Sequence, residues 1–554
     1  MADLPATRRV SRGAIGGPFL VALIVTVFVL SQWSQTAATP IGEGLDVYNH
    51  LAYIEFLTRE GRWPISGEPS MPADLDRLDK ACLAADKVCP GSYSRWAHLS
   101  DAERSAIRHD VLIPDPAAPY VSDNYQSQHP PLYYALASLP YRAVRHLPLD
   151  RQVSWLSALS VLFAAAGFPA LWITFRRHLP SPDAAMLLLA IVWFPNLMPF
   201  LGRITNDSLA FALVCWWTCV MDRQCLRMTH VSAAGALLAV GFLTKTYTLT
   251  LVPVYLLVCL LGGTRLPARP AWSRFALGGL LVLVGTVPLM LFNWKASGMP
   301  LPLDEIRRTA GFPLSQKLLA LWTINPFWFL AGLARNFFWC GYFSFVSPHI
   351  LYYLPLAAPL ALFWPARRSA GQTSPVRPWK VVLERAWIHG LLLAVFILAM
   401  WWHAALFSLD ASVRGLKTYS GNEGWYMNVL LGSVGLLLAV ACRERFGGAA
   451  MRRVLRWAVL VMIGWNVVAR LVMVAFWGGG VQLVGRARLA VPGQVVRALL
   501  DPASWHNWQS WPGVIGPAWL SVLPALSMAI VISAWFLHRQ PEGSDPATPR
   551  WSAA

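Results

Sequence analysis

The segment AIGGPFLVALIVTVFVLS, residues 14–31, contains no charged residue, and a polar stretch that includes GEGLDVYNH, residues 42–50, follows it. An apolar run of this length can cross the hydrocarbon core of a bilayer as a helix. A long polar loop comes next and closes at NYQSQHPPLYY, residues 124–134, where the chain becomes apolar again. The pattern predicts a membrane helix, a large loop at one surface, and a return into the membrane.

The composition extends this prediction to the whole chain. The 554 residues are 56% hydrophobic and 13% charged, with a mean hydropathy of +0.46, whereas a soluble protein carries about 25% charged residues. We therefore expect an all-α polytopic integral membrane protein. The predicted spans, about twelve in number, lie near 14–32, 153–174, 184–201, 208–221, 231–244, 247–262, 275–293, 349–365, 386–408, 426–442, 454–477 and 514–537.

Some boundaries stay open at this point. Residues 231–262 fit either two short helices or one long tilted helix, and residues 14–31 could instead be a cleaved signal sequence. Residues 132–147 and 321–345 fit interfacial or re-entrant segments. We expect one membrane domain over residues 1–540, including the loop 33–131, and a short polar tail over residues 541–554.

The basic residues predict the orientation. They cluster in alternate turns between the spans, and the positive-inside rule places these turns and both termini in the cytoplasm. The loop 33–131 and the later loops 202–207, 294–348, 409–425 and 478–513 then lie outside a cytoplasmic membrane. The net charge of +18 fits contact with anionic lipid headgroups. Nucleic-acid binding is not expected, because the basic residues do not form one face.

The cysteines allow one further prediction. Cys82 and Cys89 lie together in the outer loop, where an exported compartment permits a disulfide, although two free thiols fit equally well. Cys215 and Cys219 are one helical turn apart without a His or carboxylate nearby in sequence, so they predict no metal site. In the same loop, Ser100 and Glu103 form a capping-box pattern that predicts a helix through Arg108.

Asp46 is the candidate catalytic residue. A carboxylate at the membrane surface can act as a general base toward an acceptor hydroxyl while the lipid tail of a donor stays in the bilayer. Glu43 and His50 are candidate substrate-binding residues, since both would share its face if this segment were helical. Alternatively, Asp46 caps a helix over residues 47–60.

Three more polar groups are candidate substrate-binding residues. Gln128 and His129 precede two prolines, which would hold them in an extended segment; the alternative is that the prolines only turn the loop back to the membrane. Arg203, Asn206 and Asp207 occupy a short outer turn, where Arg203 could bind phosphate and Asp207 could bind a cation or cap a helix. Lys245 interrupts an apolar stretch, and a charge at that depth is costly and typical of a functional site, such as one for phosphate.

These motifs together resemble the GT-C superfamily of polytopic membrane glycosyltransferases. The resemblance rests on Asp46 and His50 after the first span, on Gly61-Arg62-Trp63-Pro64, and on the loop closure His129-Pro130-Pro131-Leu132. No acid adjoins Asp46 directly, so the resemblance leaves the catalytic role open between Asp46 and Glu43. It extends to Asn206-Asp207 and Thr244-Lys245. A weaker match covers residues 421–426, where Trp425 replaces an arginine and Glu423 and Tyr426 become candidate sugar contacts.

The resemblance implies a GT-C-like helical core and a glycosyltransferase activity. The donor would be a polyprenyl-phosphate-linked sugar, the acceptor a glycan, lipid or protein, and the reaction an inverting displacement at the outer face of the membrane. No cofactor is certain; Mg, Mn or Ca could be held by Asp46, Glu43 and Asp207. The alternatives are a transporter or flippase of a lipid-linked glycan, and an O-antigen ligase or polymerase. The sequence carries no Walker loop, dinucleotide fingerprint, zinc-protease motif or nucleophile elbow.

Overall fold

A computed structural model describes most of the chain. The described residues are 17–44, 46–78, 99–223, 225–261, 271–339, 341, 346–348, 378–413, 423–481, 483–484, 489–516 and 522–538. Three sequence predictions lie outside these residues: the pairing of Cys82 with Cys89, the span 349–365 and the polar tail 541–554.

The described chain is helical, as predicted, and its architecture is that of a polytopic membrane protein. The helices are α1 (Gly17–Ala38), α2 (Val47–Glu60), α3 (Ala73–Leu78), α4 (Asp101–Leu112), α5 (Leu132–Val144), α6 (Leu149–Ala165), α7 (Phe168–His178), α8 (Ser181–Val192), α9 (Leu197–Leu201), α10 (Asp207–Met221), α11 (Met228–Phe242), α12 (Val252–Leu261), α13 (Trp272–Ser297), α14 (Asp304–Arg308), α15 (Leu314–Thr323), α16 (Pro326–Phe338), α17 (Pro378–Val413), α18 (Leu431–Trp477), α19 (Pro492–Leu500), α20 (Pro502–Gln509) and α21 (Val522–His538).

The strands are few and short. β1 (Pro69–Pro72) pairs antiparallel with β2 (Tyr120–Asp123), with Pro69 opposite Asp123 and Pro72 opposite Tyr120. β3 (Ser347–Pro348) is parallel to β5 (Leu489–Ala490), and β4 (Leu483–Val484) is antiparallel to the same strand β5. All of these strands belong to the predicted outer loops, where they connect distant parts of the chain.

Five stretches of described helix are long and apolar enough to cross a bilayer: Gly17–Ala38, Leu149–His178, Trp272–Ser297, Ala386–Ser412 and Gly424–Trp477. The last of these contains two predicted spans, which are separated where Gly447 adopts a φ of 81°. Several other predicted spans are apolar helices of 10–17 residues, and α15 and α16 form a pair bent by 79°. Among the described residues, the predicted spans that are not full-length are these short apolar helices.

The stretch 231–262 contains two helices and is not one continuous helix. α11 ends at Phe242, Lys245 is extended at φ −153° and ψ 129°, and a 3₁₀ helix over Thr246–Leu251 leads into α12. The hydroxyl of Thr244 donates to the carbonyl of Val240 at 2.8 Å, so part of the freed backbone is satisfied locally. This break places Lys245 at a turn between two apolar helices.

The loop 33–131 contains α2, whose limits match the predicted residues 47–60. The rest of the loop packs around this helix. Its helix α4 begins with the predicted capping box of Ser100 and Glu103 and extends to Leu112, one turn beyond Arg108. Pairing of β1 with β2 brings the two ends of the loop together. The loop is therefore a small folded unit attached to the membrane helices.

The first and last of the loops that are predicted to lie outside pack against each other. The indole of Trp508 donates to the carbonyl of Ala38 at 2.9 Å, and Arg104 donates to the side chain of Asn507 at 2.8 Å. The buried indole of Trp511 donates to the carbonyl of Trp477 at 2.9 Å. These contacts place the loops 33–131 and 478–513 at the same end of the helix bundle.

A glycine permits a close approach between two elements. A Cβ built on Gly424 would overlap the backbone carbonyl of Leu333 in α16. The 3₁₀ helix Glu423–Leu430, which contains Gly424 and precedes α18, can lie against α16 only because this side chain is absent.

We expect Gly424→Ala to destabilise the protein by about 1–3 kcal/mol, since overpacking against rigid backbone forces the two elements apart. The thermal unfolding midpoint in detergent measures this effect. Gly464→Ala is the matched control, because a Cβ there meets nothing within 4 Å. Equal midpoints for the two variants would contradict the close packing.

Candidate functional site

Asp46 has an unusual backbone conformation directly before α2. Its φ of 55° and ψ of 33° are left-handed, and it is the only non-glycine residue with positive φ in the described part of the chain. It occupies the N-cap position, but its side chain makes no capping hydrogen bond. Its Oδ2 instead accepts a hydrogen bond from Gln126 Nε2 at 3.1 Å. Helix capping therefore does not explain the position of the Asp46 carboxylate.

A chain of buried polar groups continues from Gln126. The Tyr134 hydroxyl donates to Gln126 Oε1 at 3.2 Å and lies 3.0 Å from His50 Nδ1. Because the Tyr134 hydroxyl donates its proton toward Gln126, its oxygen accepts a hydrogen bond from His50 Nδ1–H. The Tyr53 ring stacks on Tyr134 with centroids 3.7 Å apart. Asp46 and His50 thus belong to one ordered network.

The Pro-Pro segment joins this network to the membrane helices. The backbone N–H of Leu132 donates to the carbonyl of Leu243, at the break after α11, at 2.9 Å. Gln128 Oε1 accepts from the backbone N–H of Asp304 at 2.8 Å, and the Tyr53 hydroxyl donates to the His129 carbonyl at 3.3 Å. Hydrogen bonds with Leu243, Asp304 and Tyr53 therefore hold the segment around the two prolines in place.

His129 faces a cavity. Its Nδ1 is buried without a hydrogen-bond partner among the described residues. This cavity has a volume of about 20 Å³ and is bordered by polar and aromatic groups that include Trp63, Gln128 and Asn293. An unpaired buried nitrogen is costly, so this imidazole is suited to bind a polar ligand group.

Lys245 lies in a second polar cluster within the apolar helices. Its Nζ donates to Asn206 Oδ1 at 2.8 Å and lies 3.4 Å from Asp207 Oδ2. Asp207 Oδ2 also accepts from the Thr205 hydroxyl at 3.0 Å, while Asp207 Oδ1 is buried without a hydrogen bond to described residues. The side chains of Lys245 and Asp207 are 5% and 6% exposed, so this ion pair is almost fully desolvated.

Aromatic rings surround the Lys245 ammonium. Its Nζ lies 5.6 Å from the centroid of Tyr426 and 6.0 Å from that of Tyr247, within the range of a cation–π contact. Tyr426 belongs to the 3₁₀ helix that begins at Glu423, and the side chain of Glu423 lies outside the described residues. Tyr426, a predicted sugar contact, is therefore brought to Lys245.

Arg203 and Glu43 have different surroundings from those expected. Arg203 Nη2 donates to the carbonyls of Pro40 and Ile41 at 3.1 and 2.9 Å, and the residue is 2% exposed. Glu43 is fully buried and precedes the start of α2, so the helical arrangement that would align it with Asp46 is not present. In this structure Arg203 joins the segment after α1 to the turn before α10.

Sequence reasoning missed several members of the site. Gln126, Tyr134 and Tyr53 hold Asp46 and His129 in place, and the first two lie within residues 124–134, whose polar and aromatic character was already evident.

The predicted cation ligands Asp46, Glu43 and Asp207 do not form a metal-binding group. In the described ranges, the side chains that cluster closely enough for this are His178, Asp222 and His389.

Burial and a neighbouring charge affect both site histidines. The pKa of His50 is well below its usual value of 6.5, because the ring is buried and lies in the field of Lys245. The pKa of His129 is lowered by burial, by Lys245 and by His50. Both imidazoles are neutral at pH 7, and the shared influence of Lys245 shows that the two polar clusters are close together.

An apolar groove is formed by three of the helices. Its cavity volume is about 440 Å³, which lies within the 300–1,000 Å³ of a site for a drug-sized molecule, and its walls are α8, α16 and α18. Ile191, Phe337 and Leu438 are among its lining residues. The 3₁₀ helix that carries Tyr426 leads directly into α18, so this element connects the groove wall to Lys245.

Comparison with known proteins gives a limited result. No protein-family model matches the sequence, and no curated protein matches it either. The chain is similar to the crystal structure of ArnT from Cupriavidus metallidurans bound to undecaprenyl phosphate, with a TM-score of 0.43, 13% identity, and coverage of 94% of this chain and 78% of that chain. It is also similar to an Archaeoglobus fulgidus oligosaccharyltransferase tethered with an acceptor peptide, with a TM-score of 0.38, 8% identity, and coverage of 82% and 55%. Both are GT-C glycosyltransferases.

The Lys245 cluster yields a prediction about stability. We expect Lys245→Met to destabilise the protein by about 3–5 kcal/mol, because it leaves the Asp207 carboxylate buried without its cation. Adding Asp207→Asn to this variant removes the uncompensated charge and recovers most of the loss. Thermal unfolding of the single and double variants measures the coupling, and a double variant less stable than Lys245→Met would contradict a buried ion pair.

The histidines yield a prediction about pH. Because their pKa values are lower in the folded chain than in the unfolded chain, the unfolded state binds more protons below pH 6.5, and the free energy of unfolding falls as the pH decreases. Each histidine contributes up to about 1.4 kcal/mol per pH unit. We expect the double variant His50→Gln/His129→Gln to show a smaller fall in the unfolding midpoint than the unaltered protein between about pH 6.5 and 5.

The control for this experiment is His109→Gln, which alters an exposed histidine in the same outer loop. It should show the decline of the unaltered protein. A double variant with the same pH dependence as the control would show that the site histidines do not contribute.

Proposed function

We propose that this protein is a membrane glycosyltransferase that moves a sugar from a polyprenyl-phosphate donor to an acceptor hydroxyl. The observation that carries the proposal is the placement of Asp46. Asp46 adopts a left-handed turn directly before α2, and its carboxylate is hydrogen-bonded into a network that reaches His50. The charge of Lys245 acts on His50. A fold of this kind supports several functions, so the argument rests on these groups.

Asp46 is suited to be the general base. A non-glycine residue in the left-handed region costs on the order of 1 kcal/mol and persists where its surroundings specify it. The half-buried carboxylate receives a hydrogen bond from Gln126, whose own amide oxygen is held by Tyr134. This arrangement fixes the direction of the carboxylate, which can accept a proton from a hydroxyl brought to the membrane surface.

The leaving phosphate would be met by neutral and charged donors. His129 Nδ1 faces a cavity and has no hydrogen-bond partner among described residues, and the Lys245 charge acts on this ring. Preorganised donors and positive charge in a water-poor site stabilise a developing phosphate charge effectively. Arg203 stays a predicted phosphate ligand, with its Nη2 donating to the carbonyls of Pro40 and Ile41.

The donor lipid would lie in the apolar groove. Its walls are almost entirely aliphatic and aromatic side chains from α8, α16 and α18, which match a long isoprenoid chain and not a sugar. The 3₁₀ helix from Glu423 to Leu430 connects this wall to Tyr426 beside Lys245. The tail and the headgroup of one donor would thus be bound by adjoining elements.

The chemical step follows from these positions. The acceptor oxygen attacks the anomeric carbon of the donor, its proton passes to Asp46, and the bond between that carbon and the phosphate oxygen breaks. The polyprenyl phosphate leaves with its electron pair near His129 and Lys245. One displacement inverts the configuration of the anomeric carbon. We place this site at the outer face of the cytoplasmic membrane, with both termini inside, on the distribution of basic turns.

A transfer assay tests the proposal. Purified full-length protein in detergent is supplied with radiolabelled polyprenyl-phosphate sugars and acceptors extracted from membranes. We expect Asp46→Asn to lower the transfer rate by about 100-fold or more, because a general base contributes about 10²–10⁴, while asparagine tolerates the left-handed conformation. Glu60→Gln is the matched control, as it alters an exposed carboxylate at the other end of the same helix.

The outcomes separate the alternatives. Equal transfer by the unaltered protein and Asp46→Asn would remove Asp46 as the base, and a selective loss in Glu43→Gln would assign that role to Glu43. No labelled product with any donor, together with movement of the same lipids across sealed vesicles, would overturn the proposal in favour of transport.

A further inference from the structure

A second polar cluster lies at the other end of α10, far from Asp46. α10 begins at Asp207 beside Lys245 and ends at Met221, followed by Asp222. A helix of 15 residues spans about 22 Å, so the two clusters are separated by most of the thickness of a bilayer core. The second cluster therefore does not belong to the proposed transfer site.

The cluster consists of His178, Asp222 and His389. His178 is the last residue of α7, Asp222 follows α10, and His389 lies in α17 shortly after its break at Ala386. One nitrogen from each ring and one oxygen of Asp222 lie within 4.8 Å of one another. Three helices that are distant in sequence therefore present metal-binding atoms to one point.

The distances and burial favour a cation at this point. His178 Nε2 lies 2.9 Å from Asp222 Oδ2, whereas His389 Nε2 lies 3.8 Å from Asp222 Oδ1, beyond hydrogen-bond distance. His389 is 1% exposed, and its Nε2 has no hydrogen-bond partner among the described residues. A buried imidazole nitrogen aimed at a carboxylate without contacting it is unfavourable unless a further group binds it.

A neighbouring side chain orients His389. Its Nδ1 lies 2.9 Å from the hydroxyl oxygen of Ser433 in α18. When Nδ1–H donates to this oxygen, Nε2 carries the lone pair and points into the cluster. A hydrogen bond on the nitrogen remote from the metal is the usual outer contact of a metal-binding histidine.

Arg177 places a positive charge near Asp222, and this charge opposes the binding of a cation. Its Nη1 lies 3.8 Å from Asp222 Oδ2. The same atom donates to the backbone carbonyls of Cys219 and Asp222, both at 2.6 Å, which fixes the guanidinium against the end of α10. The Asp222 carboxylate remains shared with both imidazoles and can still contribute an oxygen.

We propose that His178, Asp222 and His389 bind a divalent transition metal of the zinc class. Two imidazoles and one carboxylate suit zinc, and an oxygen-seeking cation such as Mg or Ca would be bound poorly by this set. Metal–ligand bonds of about 2.0–2.1 Å in a tetrahedral site require ligand atoms about 3.3 Å apart, so a small inward movement of His389 completes the geometry. A water molecule supplies the fourth ligand. The metal joins α7, α10 and α17 at the end of the bundle opposite Asp46.

Metal content tests this site independently of any transfer activity. Full-length protein without a polyhistidine tag is purified in detergent, and its transition metals are measured by mass spectrometry. We expect about one zinc-class ion per chain, and less than about one-tenth of that in His178→Asn and in Asp222→Asn. His230→Gln is the matched control, since this histidine lies at the start of α11 at the same end of the bundle and outside the cluster.

A titration provides a second measurement on the same proteins. After treatment with EDTA, Co²⁺ alone should give the visible absorption of tetrahedral cobalt, Zn²⁺ should abolish it, and His178→Asn should not show it. Ser433→Ala keeps all three ligands and should weaken Co²⁺ binding by about 10-fold. A metal-free unaltered protein that gives no cobalt absorption, and whose unfolding midpoint does not change with Zn²⁺, would overturn the proposal.

Discussion

The buried ammonium of Lys245 is the constraint around which the centre of the molecule is arranged. A cation in an apolar helix bundle must be paired and hydrogen-bonded, and here Asn206 and Asp207 provide both contacts. The side-chain nitrogen of Asn206 lies 3.4 Å from the carbonyl of Thr244. The start of α10 is thereby attached to the break after α11, where helix ends would otherwise leave backbone groups exposed to lipid.

The same break receives the outer loop. Leu132 donates to Leu243, and the Thr205 backbone N–H donates to the Tyr133 hydroxyl at 3.1 Å. The segment from Gln126 to Tyr134 therefore contacts the membrane helices on one side and Asp46 on the other. Two features that are costly in isolation, a desolvated lysine and a left-handed aspartate, lie at opposite edges of one hydrogen-bonded region. Such local departures from ordinary preference are expected at functional sites.

Particular residues show which features could be predicted. The helix after Asp46 matches its predicted limits, because regularly spaced apolar residues and flanking glycines mark an amphipathic helix clearly. The capping box at Ser100 was recognised because its geometry is local. For Arg203 and Glu43 the sequence leaves the role open, since an arginine or carboxylate near a surface turn can bind a ligand or satisfy nearby backbone groups. His178, Asp222 and His389 form no spacing motif at all.

The linear pattern was sufficient for the membrane class, the large loop after the first helix, and the identity of most polar residues that meet at the candidate site, because hydropathy, capping and proline effects act over a few residues. Other properties required the folded chain. These are the broken helices, the contact of Gln126 with Asp46, the pairing of Lys245 with Asp207, and the histidine cluster at the opposite end. Each depends on which distant helices pack together, and that is set by the complementary shapes of buried side chains and by the need to satisfy every buried polar group.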